Sequence, residues 1–242
     1  YVAKSVEFDN LPNTVIGYDF DVNILKLFKN KNIKEKNLPA KEGHHIPAGI
    51  YLRKFYEIVI PYNFCHYYNG GSFTMFYSVY NDFTFWNIPI LEADEDFSYR
   101  NPILHKIGGV GYGKRGEFLD THILKKGYLF SREGQAIPLS SNILSKIMLS
   151  FTNSILSQYS INLYTGQHKI SGNVNLLPMP DYAIRQSDIE RIVNAIIDIK
   201  RKWFSLDETN LEYHGLLAQM DLTDGIEAAL DKMQQKLTAD YK

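Results

Sequence analysis

Tyr51-Leu52-Arg53-Lys54-Phe55-Tyr56-Glu57-Ile58-Val59-Ile60 is a run of aromatic and β-branched residues, and the same bias continues to Phe85-Trp86. Such side chains suit a pleated, half-buried surface. With Gly70-Gly71 as a turn, the tract predicts strands and hairpins. Shorter strand-like pieces follow at Tyr128-Leu129-Phe130 and Ala136-Ile137. After Ser141 the spacing changes: Ile143, Leu144, Ile147, Met148, Phe151, Ile155 and Leu156 recur at helical offsets. They predict one long central helix with its apolar stripe on the core. Ser187-Asp188-Ile189-Glu190 has the form of a capping box and opens a helix that carries Ile189, Ile192, Val193, Ile196, Ile197 and Ile199 to Trp203. Another helix is expected after Thr223 and Asp224, with Ile226, Leu230, Met233 and Leu237 on one side. At the other end, Tyr1 to Tyr18 reads as extended and Val22 to Phe28 as a short helix. Strands and helices segregate rather than alternate, so the fold class is α+β: a strand-rich body over residues 1–182, and a C-terminal helical segment over 183–242 packed on it.

Of 242 residues, 45% are hydrophobic, 22% charged and 14% aromatic, which excludes wholesale disorder. A formal net charge of −1 excludes a uniformly basic nucleic-acid binder, so any polyanion site must be local. The lysines at 26, 29, 31, 34 and 36 read as a solvated helix end and loop. Glu92-Ala93-Asp94-Glu95-Asp96 reads as an exposed loop that repels DNA. The single cysteine, Cys65, cannot form an intrachain disulfide and favours a reducing, cytoplasmic setting. The most apolar stretch, Ile143 to Leu163, is broken by Ser, Lys, Asn and Gln, so no membrane span is expected. The chain begins with Tyr1 and is read as a piece of a longer protein.

Gly111-Tyr112-Gly113-Lys114-Arg115-Gly116 matches the G-x-G-x-x-G of dinucleotide loops, but residues 117–127 carry no helical stripe to follow it. It reads better as a tight loop that pushes two cations toward solvent, within reach of phosphates or guanine edges. Pro180-Asp181 with Asp198-Ile199-Lys200 imitates a metal-dependent nuclease, yet the second acid and the lysine fall inside an expected helix, on different sides of it. His44-His45 is the one adjacent histidine pair, and no metal-ligand, nucleophile-elbow or Walker spacing occurs. No catalytic residue, metal site or cofactor site is assigned within these residues. What remains is a set of amide, aromatic and cationic side chains suited to reading nucleic acid, among them Lys54, Asn63, Tyr67, Tyr68, Tyr112, Lys114, Arg115, Lys125, Lys126, Arg132, Gln135, Gln167, His168 and Lys169.

The order of several segments carries a resemblance. They are residues 11–18, Leu52-Arg53-Lys54-Phe55-Tyr56-Glu57, Ile60-Pro61-Tyr62-Asn63, Phe83-Thr84-Phe85-Trp86-Asn87, residues 111–118, His122-Ile123-Leu124-Lys125-Lys126-Gly127-Tyr128-Leu129-Phe130 and Glu133-Gly134-Gln135-Ala136-Ile137. Asn153-Ser154, Leu177-Pro178-Met179-Pro180 and Asp207-Glu208-Thr209-Asn210 complete the series. This collinear set resembles the C-terminal specificity region of adenine-N6 DNA methyltransferases of Type IIG-like restriction–modification and BREX-type phage-defence systems. It departs from the usual pattern where Phe64-Cys65-His66-Tyr67-Tyr68 precedes the glycine pair. The resemblance implies a target recognition domain over residues 1–182 that binds double-stranded DNA in a bacterial or archaeal cytoplasm. The methyl donor S-adenosylmethionine and the reaction centre belong to an N-terminal methyltransferase domain of the same parent chain, with or without a fused endonuclease. On this reading Lys114 and Arg115, beside Tyr112, are the leading contacts; Lys125, Lys126, Arg132 and Lys169 meet phosphates; and Gln135, Gln167 and His168 read bases. Two other readings stand beside it: a protein-docking module using the stripe from Ile226 to Leu237, and a stand-alone Mg²⁺-dependent nuclease.

Overall fold

The aromatic tract folds into strands shorter than its composition suggests, because polar and turn-forming positions interrupt it. A computed structural model describes residues 8–9, 11–12, 21–58, 63–71, 74–181, 185–214, 228, 231–232, 234–235 and 239. The expected extended piece at residues 1–18, apart from four positions, and the apolar stripe at Ile226, Leu230, Met233 and Leu237 lie outside the described residues.

The strands are β1 (Leu52–Lys54), β2 (Phe64–Tyr68), β3 (Asp82–Phe85), β4 (Gly109–Gly113), β5 (His122–Leu124), β6 (Leu129–Phe130) and β7 (Gly134–Pro138). One sheet has the order β1-β3-β2-β6, antiparallel except for the parallel β2–β6 pair; the other is antiparallel, in the order β5-β4-β7. The run that opens the aromatic tract leaves the sheet after Lys54 for a 3₁₀ turn at Phe55–Glu57, where the Glu57 carboxylate accepts the backbone N–H of Lys54 at 2.6 Å.

The helices are α1 (Val22–Leu27), α2 (Ala48–Tyr51), α3 (Ile88–Leu91), α4 (Asn142–Thr152), α5 (Ile155–Asn162), α6 (Ser171–Val174) and α7 (Gln186–Phe204). The fold is therefore α+β, as the sequence implies. Val110, Tyr112 and Ile137 of the three-stranded sheet share one core with Ile147, Met148 and Leu149 of α4 and Val193 and Ile197 of α7. A smaller core under the other sheet gathers Ile46, Tyr67, Leu91 and Leu129. Among the described residues no helix is long and apolar enough to cross a membrane.

Two helical expectations need correction. The long central helix breaks at Asn153-Ser154: Ser154 accepts the N–H of Ser157 and starts α5 anew, while the Asn153 side chain turns to the backbone of Thr121. The break rotates the stripe. Ile155 is 89% exposed and lines an open groove with Ile24, Leu156 and Tyr159 instead of entering the core. The capping box at Ser187 does not form either. Arg185, in the left-handed conformation at φ 67°, precedes the first turn, and Glu190 reaches across to the buried Lys146 at 2.6 Å.

Candidate nucleic-acid interface

Where β4 and β7 end together, at the Gly113↔Gly134 pair, three loops meet. The first is residues 114–121, leaving β4. The second is the Ser131–Glu133 turn, which carries the chain from β6 in one sheet to β7 in the other. The third is residues 166–169, after α5. Backbone bonds join them: Lys114 N–H donates to Glu133 O (2.9 Å), Gly116 N–H to Gln167 O (2.9 Å) and Lys169 N–H to Lys114 O (2.7 Å). The turn packs so closely on the first sheet that a side chain at Gly134 has no room, since a Cβ there would lie 2.4 Å from Gly70 N and 2.7 Å from Tyr68 O.

Amide side chains then hold the loop after β4 from below. Gln158 of α5 accepts the Leu119 N–H (2.8 Å) and donates to the Leu119 and Thr152 carbonyls (3.0 and 2.9 Å). Asn153 does the same for Thr121, accepting its N–H at 3.2 Å and donating to its carbonyl at 2.9 Å. The broken helix therefore has a use: its elbow clamps the loop that carries Lys114 and Arg115. Gln158→Ala leaves the buried N–H and C=O of Leu119 without these partners, and a loss of about 2 kcal/mol is expected in chemical denaturation.

The surface of this corner carries Arg115, 70% exposed along its side chain, with Arg132, Gln167 and His168 also exposed. Lys114 is drawn inward, its side chain 16% exposed and its Nζ 3.0 Å from Oε1 of Glu133. The Nε of Arg115 lies 3.4 Å from the other oxygen, Oε2. Burial tends to raise the Glu133 pKa, but the hydrogen bond and charge of Lys114 and the charges of Arg115 and Arg132 hold it below the usual carboxylate value. Three cations thus surround this carboxylate, while Glu117 and Asp120 of the first loop act on the Lys169 ammonium.

Other expected contacts are not on this surface. Tyr112 is fully buried in β4 and donates its hydroxyl to Gln135 Oε1 at 3.1 Å. Gln135, equally buried, donates to the Arg132 carbonyl at 3.2 Å. Tyr112, expected beside the leading contacts, and Gln135, expected to read a base, are both supports instead: β4 lies in the middle of its sheet with α4 packed against it, and Gln135 on β7 is turned to the Tyr112 hydroxyl. Lys169 is also corrected. It is fully buried, and its Nζ donates to the carbonyls of Gly116 (2.8 Å) and Gly166 (3.2 Å), so it ties two loops together and reaches no phosphate.

Lys125 and Lys126 lie elsewhere. The antiparallel register sets Leu124 opposite Gly109, so they follow the far end of β4, about 14 Å of strand from the Gly113 end. Lys126 is exposed there, while Lys125 pairs with Glu212 and lies 5.4 Å from the Tyr77 ring.

Glu133 was not singled out in the sequence, although its place between Arg132 and Gly134 in a turn is a signal for a carboxylate among cations. The dinucleotide reading of residues 111–116 gains no support: Gly111 and Gly113 are strand residues, and the chain runs on to β5 without a helix. For the nuclease pattern, Asp198 and Lys200 both lie on α7, with Asp198 exposed and paired to Arg201 at 3.3 Å while Lys200 is buried. Among the described residues no group of three or more His, Cys, Asp or Glu could hold a metal ion. Neither a family model nor a curated protein matches the chain.

Proposed function

We propose that this chain recognises double-stranded DNA through the corner formed by residues 114–116, 131–133 and 166–168, as the specificity portion of an adenine-N6 DNA methyltransferase. S-adenosylmethionine and the adenine-modifying centre belong to a neighbouring methyltransferase domain in this reading. The observation that carries it is the exposure of Arg115 and Arg132 on a corner whose backbone is fixed by three loop-to-loop bonds and two amide clamps. Exposed guanidinium groups pair with phosphates and, in bidentate fashion, with guanine O6 and N7, and a rigid mount is what turns such contact into selectivity. His168 and Gln167 flank Arg115 and extend the polar surface. The acidic loop after α3 is exposed, and α3 packs in the other core, under the β1-β3-β2-β6 sheet.

The test compares Arg115→Ala and Arg132→Ala in the full-length protein, using a randomised duplex library followed by filter binding to the enriched sequence. Arg115→Ala is expected to cost about 1 to 3 kcal/mol on that duplex and to relax preference at one base pair. Arg132→Ala is expected to weaken all duplexes alike and to make the salt dependence shallower by about one counterion. Unchanged affinity, preference and salt slope in both variants would remove the corner from DNA recognition.

A further inference from the structure

We infer that Glu133 is a positioning residue that makes Arg115 selective for guanine, by buttressing its guanidinium from the Nε side. The inference rests on the DNA-reading function proposed above and adds a specificity determinant to it.

On a surface that only gripped phosphates, a carboxylate among the cations is a liability. It repels the backbone and draws Lys114 inward, where that lysine is 16% exposed. The position of Glu133 fits a different task. Its Oε1 is taken by Lys114 at 3.0 Å, which fixes the carboxylate plane from one side, and its Oε2 faces the Nε of Arg115 at 3.4 Å. The ion pair is made through Nε, and among the described residues the Arg115 side chain has no other partner. Two coplanar N–H donors with no protein partner are what bidentate contact with O6 and N7 of guanine requires.

The mount is rigid at both ends. Lys114, next to Arg115, donates its N–H to the Glu133 carbonyl at 2.9 Å, and the Ser131 hydroxyl accepts the N–H of Glu133 at 3.1 Å. A side chain as exposed as Arg115 has much rotamer freedom to lose on binding, and a fixed carboxylate beside Nε removes part of that freedom before the base arrives. The same carboxylate penalises contact with phosphate oxygens, so Glu133 favours the groove edge over the backbone for Arg115.

Glu133→Ala and Glu133→Gln in the full-length protein separate this role from a counterion role. The probes are the duplex enriched from a randomised library by the wild type, its single-base-pair variants, and an unrelated duplex. Glu133→Ala is expected to lose roughly tenfold discrimination at one G·C pair, while affinity for the unrelated duplex stays level or rises because a negative charge has gone. Glu133→Gln, whose amide oxygen can occupy the same place beside Nε, is expected to keep most of that discrimination. In an Arg115→Ala background, Glu133→Ala is expected to change discrimination at that pair no further. Equal tightening of every duplex by Glu133→Ala, with preference intact, makes Glu133 a counterion only and overturns the inference. A wild type that enriches no sequence overturns the DNA-reading function instead, and the buttress with it.

Discussion

Moving the protein from pH 7 to pH 5 is expected to remove about 6 kcal/mol of stability, seen as a lower denaturant midpoint. The main cause is three buried imidazoles, His44, His105 and His122, which are 0%, 8% and 0% exposed, and half-buried His66, lowered by burial to about 4, acts in the same direction. The first two belong to a column of rings: Tyr99 stacks on His44 at 4.7 Å, His44 on His105 at 3.6 Å and His105 on Phe130 at 4.2 Å. Nδ1 of His44 accepts the Arg100 N–H at 3.0 Å, so the ring's proton sits on Nε2, which has no hydrogen-bond partner among the described residues. His105 places Nε2 3.0 Å from the Arg100 carbonyl and Nδ1 3.4 Å from the Phe130 N–H. A second proton on either ring breaks a bond to backbone.

Burial, helped by the neighbouring His105, lowers the His44 pKa to about 3. Burial likewise lowers His105 to about 4, against its bond to Arg100, and His122 to about 3, against its bond to the Asp120 carbonyl. In the unfolded chain each titrates near 6.5. Above pH 6.5 neither state is protonated and stability is full. Below it the unfolded chain takes up protons that the fold refuses, so stability falls with pH and levels off only below the folded values. At pH 5 each ring accounts for about 2 kcal/mol. Asp120, whose carboxyl is pushed up by burial, works in the opposite direction, but it is one partly exposed group against three rings. A typical domain has about 5 to 15 kcal/mol in total, so a 6 kcal/mol loss leaves it marginal. His105→Phe, which keeps the stack, is expected to flatten the dependence by one ring's share. A midpoint that does not move between pH 7 and pH 5 would show that the rings are not held neutral.

The legible parts of the fold were those set by local pattern. The stripes from Ile143 to Phe151 and from Ile189 to Ile197 became α4 and α7, whose Ile147, Met148, Val193 and Ile197 share one core, although Ile143 and Ile192 face outward. The aromatic tract became strands only in part: β1, β2 and β3 form in it, but Tyr51 ends α2 and Phe55–Glu57 is a 3₁₀ turn. Asn153-Ser154 was harder to read, since the break serves a residue more than thirty positions earlier in the chain: Asn153 leaves the helical pattern to bind Thr121.

At the candidate site, the basic loop was visible because glycines flank Lys114 and Arg115. Which residues join it depends on pairing that no local pattern encodes. Gly116 and Lys169 meet across 53 residues, and the register of β4 with β5 sends Lys125 and Lys126 to the opposite end. Alternating glycines also mislead. Gly111 looks like loop sequence but sits in a buried strand, where a Cβ would lie 3.1 Å from both His122 Nε2 and the Tyr68 ring. Close approach between the two layers, rather than a turn, accounts for that glycine and for the burial of Tyr112 beside it.

Lys169→Met tests the structural reassignment most severely, and an unfolding cost of about 3 to 5 kcal/mol is expected. Met keeps the apolar length of the side chain, so the change isolates the ammonium group. Two carbonyls, of Gly116 and Gly166, lose their donor inside the protein, and each orphaned acceptor costs about 1 to 3 kcal/mol. Asp120 and Glu117, whose negative charges oppose the burial-driven fall in the Lys169 pKa, lose the nearby ammonium. A phosphate contact would behave differently: thermal stability would hold, and the salt slope of DNA binding would drop by about one.

Lys169 also stands directly behind Arg115, since its N–H bonds to the Lys114 carbonyl and its Nζ to the Gly116 carbonyl. The substitution releases the Gly116 carbonyl on one side of Arg115, while the main-chain bond to Lys114 stays. Lys169→Met is therefore expected to lower the thermal midpoint and, below it, to blunt the base preference that Arg115 confers. Arg115→Ala, at an exposed position, is expected to remove the preference with less than about 0.5 kcal/mol change in stability. Separation of the two variants along the stability axis, with convergence on the same base pair, distinguishes a residue that holds the reading arginine from the arginine itself.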